Sequence, residues 1–539
     1  MLQLAEFHAD PKVQEQFELF HQWTRLVQQN DDGFGYTRFD LVNGKPDYNW
    51  MSPQYDGFAF RALAFIKYAK NCGVRYDDVI KQDLDSILKV WNRNDGYEPW
   101  EEVVGEHYMV LLVHMEALFQ GSHYFNDELY LETAILIKNN LKRFYNGEWI
   151  KSTLNGYCKE NDKNEGARTK VQLNNFIDIS SVLGLNIATE PFRTEYESLQ
   201  TFYELVNSFA YNQHSPPIKL SSWALNNVTC SSDGYEMAPG IGRYPEDIFD
   251  GIGYMFEGKY KSFGAGFWFL ATNAMAEFLF KLIHDYENLE MVEINEKSKK
   301  FWEFIGIDYT GQVYIGDYRF DSILDAIFIK ADSFIHRTKE YVIDGYMSEQ
   351  FHYLTGSQMS TSDLSWSYAS IISVNSARRK VLRNVEPKRC NATAYPTCPL
   401  PCKNHCGFPK NQPRCVARNA EECHSLGCCW VQRDILHPVC MLSLDQPSRI
   451  GTIFEVEHHV EYGQTLSVVG TFNDWDTCSG LECQWTLGDI WKCPGFIGSK
   501  KEYQVKAIVY TDCSVVEWQK GENIKFTTTG KPQLIKFKF

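Results

Sequence analysis

The feature that most limits what this 539-residue chain can fold into is a change of hydrophobic period partway along it. From residue 11 to about residue 385, apolar side chains recur three and four positions apart, as in Val110, Leu111, Met115, Leu118 and Phe119. That spacing lines one face of an α-helix. It predicts helices near 11–29, 57–71, 77–92, 104–120, 128–145, 190–210, 266–286, 320–337 and 362–380. From Gly451 onward the pattern alternates, with Phe454 and Val456, then Leu466, Val468 and Val469, then Val505, Ala507 and Val509, which predicts strands. Between the two lies PKRCNATAYPTCPLPCKNHC, residues 387–406, whose four Pro and four Cys cannot continue a helix. The chain is therefore expected to be multidomain: an all-α unit over 1–385, a Pro- and Cys-rich linker over 386–405, a small disulfide-rich module over 406–445 and an all-β sandwich over 449–539. The helical unit is expected to be a ring of helix pairs whose loops, carrying Gly, Pro, Trp and acidic residues, gather at one end.

The 16 cysteines are unevenly placed: Cys72, Cys158 and Cys230 precede residue 390, and thirteen lie between Cys390 and Cys513. Such crowding points to disulfide-stapled modules made in an oxidising compartment, either secreted or held in a lysosome or digestive vacuole. The sequons Asn227-Val-Thr and Asn391-Ala-Thr are glycosylation acceptors that agree with this. An excess of 69 Asp and Glu over 53 Lys and Arg would repel phosphate backbones and anionic lipid, so neither nucleic acid nor a membrane surface is an expected partner. No apolar run reaches the 18 residues a membrane helix needs. The opening MLQLAEFHADPKVQEQF has early charges and no apolar stretch of leader length, at odds with the cysteines. The expectation is that the natural chain begins upstream of Met1.

Two acidic segments carry the chemistry. In Gly96-Tyr-Glu98-Pro-Trp100-Glu101-Glu102-Val, adjacent carboxylates and a Trp precede a strongly apolar helix. Alone this could be an acidic first turn favoured by the helix dipole. A second segment, Gly345-Tyr-Met-Ser-Glu349-Gln350-Phe followed by Asp363-Leu-Ser-Trp366-Ser-Tyr368, again places an acid in a loop with a Trp opening the next helix. Glycoside hydrolysis requires two carboxyl groups on opposite faces of one bond, and two loops of a helical ring can supply them.

These segments resemble the glucoamylase family of glycoside hydrolases. Three further stretches match that family in the same order: Trp50-Met-Ser-Pro-Gln-Tyr-Asp56-Gly through Arg61-Ala62, then Gly242-Arg243-Tyr-Pro-Glu246-Asp247, then Trp268-Phe-Leu-Ala-Thr272. The resemblance implies an (α/α)6 toroid of six inner and six outer helices, with Glu101 as general acid and Glu349 as general base. Glu98 would support them, standing where the family has Asp. The substrate-binding set would be Trp50, Asp56, Trp100, Glu102, Arg243 and Trp366. The two catalytic carboxyls would lie roughly 6.5 to 9.5 Å apart to admit the attacking water, and the configuration would invert. The implied reaction releases β-D-glucose from the non-reducing ends of starch, glycogen or maltooligosaccharides, by a monomer, with no cofactor and no metal. Family members also carry an upstream helix with Trp-Thr-Arg-Asp, whose Arg and Asp hold the terminal glucose. This chain is expected to lack that first inner helix, because Trp23-Thr-Arg25 is followed by Leu26 and lies too close to the Trp50 segment.

Two modules follow. Cys406-Gly-Phe-Pro, Cys415, Cys423, Gly427-Cys428-Cys429-Trp430 and Pro438-Val-Cys440 resemble a trefoil domain. The resemblance implies Cys406 paired with Cys429, Cys415 with Cys428, and Cys423 with Cys440. Zinc is disfavoured because adjacent Cys428 and Cys429 are poor tetrahedral partners. Gly470-Thr-Phe-Asn-Asp-Trp475, Tyr503-Gln-Val-Lys506 and Trp518-Gln-Lys-Gly-Glu-Asn523 resemble a starch-binding β-sandwich, in which Trp475 and Trp518 would stack sugar rings and Lys506 and Asn523 would bond hydroxyls. The competing function class is a non-catalytic polysaccharide-binding relative. A trefoil-type interaction protein accounts only for the middle of the chain, and a regulatory subunit of a glycogen-metabolising kinase would not need the clustered cysteines.

Overall fold

The structure is a computed structural model. It describes residues 1–390 except 32, 160–163, 211–222, 252–253, 257–258, 262–264, 344, 354–355 and 384; beyond these it describes 428–432, 438–442, 449–460, 464–473, 475, 477, 480–486, 489–498, 502–511, 514–528 and 533–539. Two compact units emerge, residues 1–354 with 358–395, and residues 396–539 with 355–357.

Unit 1 is built from twelve α-helices: α1 Pro11–Asn30, α2 Asp56–Cys72, α3 Asp77–Val90, α4 Tyr108–Phe125, α5 Glu128–Leu141, α6 Glu165–Gln172, α7 Ser180–Ile187, α8 Tyr196–Ser208, α9 Phe269–Leu289, α10 Lys299–Ile305, α11 Tyr318–Tyr341 and α12 Ser365–Lys380. Local chemistry sets their ends. Asp10, Asp127 and Asp317 cap α1, α5 and α11 by accepting backbone N–H bonds, and α2 stops at Gly73 in the left-handed region. α4 is buried at every position from Tyr108 to Leu118, the mark of an inner helix, whereas α3 buries one stripe with Val79, Ile80, Leu84 and Ile87. α2 packs on α4, α4 on α7, α7 on α9 and α9 on α12, while α3, α5, α8 and α11 back them from outside.

This is an arc of five inner helices among the described residues. The arc is not closed by packing of α12 on α2. A short 3-10 turn, Leu4–Phe7, lies at that seam. It packs on α2 with Ala5 buried, and Glu6 pairs with Lys67 of α2 at 2.7 Å and hydrogen-bonds Ser376 of α12. The apolar flanks expected to be bare at this end are thus partly covered by the first residues of the chain.

Two expected helices start late because strands precede them. Val104–His107 pairs with Gly96–Tyr97 and with Thr153–Tyr157, so α4 begins only at Tyr108. Gly105 is required there, since a Cβ would stand 2.8 Å from the Leu154 carbonyl oxygen. Likewise Gly266–Trp268 joins a sheet with Gln350–His352 and Gln358–Met359 ahead of α9. The helices α6, α7 and α10, seven or eight residues long, are too short to show a period and were not expected. The unit boundary falls later than residue 385, because a Cys230–Cys390 disulfide and a bridge between Tyr235 and Arg389 tie residues 385–390 to the helices.

Unit 2 contains two sheets. One runs Gln484–Thr486, Ile490–Gly498, Arg449–Glu457 and Gln533–Lys538; the other is centred on Glu502–Thr511, flanked by Thr465–Gly470 and by Ser514–Trp518 with Ile524–Thr527. Phe454, Val456, Leu466, Val468, Val505 and Ala507 form the core, as the alternation predicts, and Cys483–Cys493 staples it. Cys428–Gln432 and Pro438–Leu442 form a separate antiparallel hairpin. The three expected trefoil pairs and the sequon at Asn391 lie outside the described residues.

Candidate active site

The functional segments converge at the N-terminal ends of the inner helices. Residues 98–103 form the tip of the hairpin that leads into α4: the Glu98 N–H donates to the Val103 carbonyl at 3.1 Å, and the Glu101 N–H donates to the Glu98 carbonyl at 2.9 Å. Glu101 sits at φ 62°, a conformation unusual for a non-glycine residue. The turn sends consecutive side chains to different sides. Trp100 and Glu102 are buried, and Glu101 stays half-buried. Beneath the tip the Glu98 carboxylate accepts the Val103 N–H at 2.8 Å and the Glu102 N–H at 3.2 Å. Glu98 is therefore a brace of the loop, and its burial pushes its pKa up to about 8.

Glu101 Oε1 accepts the indole N–H of Trp50 at 2.8 Å, and the Arg38 guanidinium lies 4.6 Å above the Trp50 ring. Burial raises the Glu101 pKa, opposed by the Trp50 hydrogen bond and the Arg38 charge. Asp56 opens α2, and its pKa is pushed to about 6, by burial first and by the Glu101 charge in addition. On the other side of the arc, Glu349 precedes the strand Gln350–His352, where Trp268 pairs with Gln350. The Glu349 N–H donates to the Thr361 carbonyl at 2.8 Å, and Ser360 donates its hydroxyl to Oε2. Its carboxyl is buried, which raises the pKa, while Ser360 and the Arg243 charge oppose the rise.

Between them stands Arg243, wholly buried in a cage of rings: Phe249 at 5.0 Å, Trp268 at 5.1 Å and Trp100 at 5.6 Å from its guanidinium carbon. Trp100, Trp268 and Trp366 contact one another with centroids 5.5 to 6.1 Å apart. Arg243 holds Asp247 through Nε at 2.7 Å and Nη2 at 2.6 Å, and reaches Glu102 at 2.8 Å. Glu102 also accepts the Tyr244 hydroxyl at 2.5 Å and the Asn164 amide. Both Glu102 oxygens are thus engaged by the chain itself, so it acts on a ligand through Arg243. Deeper still, the Trp100 indole N–H meets Asp178 at 3.1 Å, and Asp178 is neutralised by the wholly buried Lys170.

The sequence reading left Trp268, Phe249, Ser360, Tyr244, Asp178 and Lys170 out of the site. Trp268 had a signal, since it lies in a matched motif; Lys170 and Asp178 had none, because nothing local marks a pair that closes only in three dimensions. In unit 2, Trp518 is 41% exposed and Trp475 takes φ 61°. The Lys506 ammonium is bound to the carbonyls of Gln519 at 3.1 Å and Gly521 at 2.8 Å, and the Asn523 amide to Gln504 at 3.0 Å. No group of His, Cys, Asp and Glu able to hold a metal is found among the described residues, and no described helix is long and apolar enough to cross a membrane.

Carboxyl groups on separate loops, walled by indoles at one end of a helical arc, are the equipment of a glycoside hydrolase. Residues 21–376 match the glycosyl hydrolases family 15, and the chain belongs to that family of enzymes. It is 28% identical over 400 residues to a glucoamylase of Blastobotrys adeninivorans, covering 66% of this chain and 58% of that protein. It is 26% identical over 439 residues to the intracellular sporulation-specific glucoamylase of Saccharomyces cerevisiae, covering 71% and 75%. Against other curated glucoamylases the chain spans little more than half of their length, 54% and 55% in two cases. The family 15 glucoamylase of Hypocrea jecorina shares the fold at a TM-score of 0.56 and 20% identity, over 99% of this chain and 90% of that one.

Proposed function

We propose that the chain is an inverting exo-hydrolase that releases β-D-glucose from the non-reducing ends of α-1,4-glucans such as starch, glycogen and maltooligosaccharides. The observation that carries this reading is the pair Glu101 and Glu349. Each is brought by its own loop to the same end of the arc, each has its pKa raised by burial, and each is steadied by one neutral donor, Trp50 or Ser360. Glu101 gives its proton to the glycosidic oxygen as the C–O bond breaks. Because Trp50 occupies Oε1, Oε2 is the oxygen that carries the proton. Water attacks the anomeric carbon from the opposite face and passes a proton to Glu349, which inverts the configuration; exchange with solvent resets both groups. Arg243 has no partner for Nη1 among the described residues and is the donor for a sugar hydroxyl, with Asp56 as acceptor and Trp50, Trp100 and Trp366 as walls.

In the same reading, residues 449–539 bind starch through Trp475 and Trp518, with Lys506 and Asn523 bracing the strand ends beside them, and residues 406–445 form a trefoil. The chain acts as a secreted or vacuolar monomer, with the exposed Asn227 a glycan acceptor. Glu101→Gln and Glu349→Gln should each lower kcat by about 10² to 10⁴-fold while binding survives. The Glu101 variant should be least impaired on glucosyl fluoride, whose leaving group needs little protonation, and azide should partly rescue the Glu349 variant. NMR should show β-glucose first; release of the α-anomer would reject inversion, and unaltered kcat in both variants would reject the assignment.

A further inference from the structure

We propose that unit 1 has a second carbohydrate site on its outer surface, a pocket of about 400 Å3 beside α8 and α10 that binds a short internal stretch of α-glucan. This inference rests on the α-glucan reading above and names a further place where the same polymer is held.

Its aromatic surface comes from Trp149 and from Tyr203 of α8, both half-buried, over the wholly buried Phe301 of α10. Trp149 is presented by a rigid turn in which Asn146 Oδ1 accepts the N–H groups of Glu148 and Trp149, each at 2.8 Å. The Gln200 side chain is oriented from behind: its Oε1 accepts the Tyr145 hydroxyl at 2.5 Å, and its amide NH2 has no partner among the described residues.

The charges decide the ligand class. Glu148, Glu204 and Glu296 line the pocket together with Lys297, Lys299 and Lys300, so the rim is neutral in sum. An anion would meet the carboxylates, and a cation the ammonium groups. A neutral ligand that offers hydroxyls as both donors and acceptors can use both. The rim pairs are long and exposed, Lys300 to Glu204 at 3.3 Å and Lys299 to Glu296 at 3.8 Å, so exchanging them for hydroxyl contacts costs little. Half-buried rings add an apolar face. A concave site with apolar rings and a few convergent polar groups of both signs fits the C–H faces and hydroxyls of glucose units. No acid and base pair flanks the pocket as Glu101 and Glu349 flank the candidate active site, so the site binds and does not cleave.

The probe is β-cyclodextrin, a closed ring of α-1,4-linked glucose with no chain end for an exo-hydrolase to consume. Calorimetric titration of the full chain should lose one binding equivalent in Trp149→Ala. Tyr203→Ala should weaken that equivalent by about two- to tenfold, the worth of one aromatic contact. In the unaltered chain, hydrogen exchange over residues 146–149 and 196–204 should slow on adding the probe, and this readout needs no variant to fold. The titration should be insensitive to salt, because the ligand is neutral. Unchanged equivalents in both variants together with unchanged exchange in these segments would overturn the proposal. Turnover of maltotriose, expected to stay within about twofold in both variants since neither residue lies in the catalytic loops, separates the two readings. Failure of the unaltered chain to hydrolyse maltotriose rejects the proposed function, while hydrolysis without a lost equivalent rejects this pocket alone.

Discussion

Replacing Trp50 by Phe removes one hydrogen bond and leaves an aromatic wall in place, and its effect on the pH profile can be worked out from the structure. The indole N–H donates to Glu101 Oε1 at 2.8 Å. A donor on a carboxylate favours the ionised form and so lowers the pKa, against the burial that raises it. Hydrogen bonds to charged groups contribute about 1.5 to 3 kcal/mol. Trp50 is 38% exposed, so water replaces part of the lost bond; allowing half leaves about 0.7 to 1.5 kcal/mol, or about 0.5 to 1 pH unit at 1.36 kcal/mol per unit. Since Glu101 works as the protonated acid, a higher pKa keeps it active to higher pH. The alkaline limb of kcat/KM should therefore move up by about 0.5 to 1 unit, and the acid limb, set by Glu349, should stay. Any drift of Arg38 away from the weaker Phe ring acts in the same direction, since its charge also lowers the Glu101 pKa. The assay is kcat/KM against pH on maltotriose, which reports the free enzyme. An alkaline limb that stays or moves down would refute the assignment of Glu101 as the acid.

Three further outcomes are expected. Gly251→Ala would bring a Cβ within 1.8 Å of the Ser360 hydroxyl at a backbone φ of +68°, displacing the donor to Glu349; kcat should fall about tenfold or more, and a thermally stable variant with unaltered kcat would remove Ser360 from the account. Lys170→Met leaves Asp178 buried without its counter-charge and should cost about 3 to 5 kcal/mol in urea unfolding, so an unshifted midpoint would show that the pair is not required. Trp475→Ala with Trp518→Ala should abolish adsorption to starch granules while maltotriose turnover persists; undiminished adsorption would sink the binding role of unit 2.

What the sequence by itself determined is whatever repeats locally or is spelled in contiguous motifs. The helical and alternating periods separated the two units because side-chain spacing alone decides which face of an element is apolar. The carboxylates at Glu101 and Glu349 were legible because each sits in a short stretch with its own Trp. Tertiary structure decided what depends on residues far apart in the chain. It turned Glu102 inward to meet Arg243, 141 residues away, and tied Trp100 to Asp178, 78 residues away. It paired Cys230 with Cys390, which moved the edge of the helical unit, and it left α12 and α2 bridged by Glu6 instead of by helix packing. No local pattern encodes such partners, because a buried charge is stabilised only by the group that folding brings beside it.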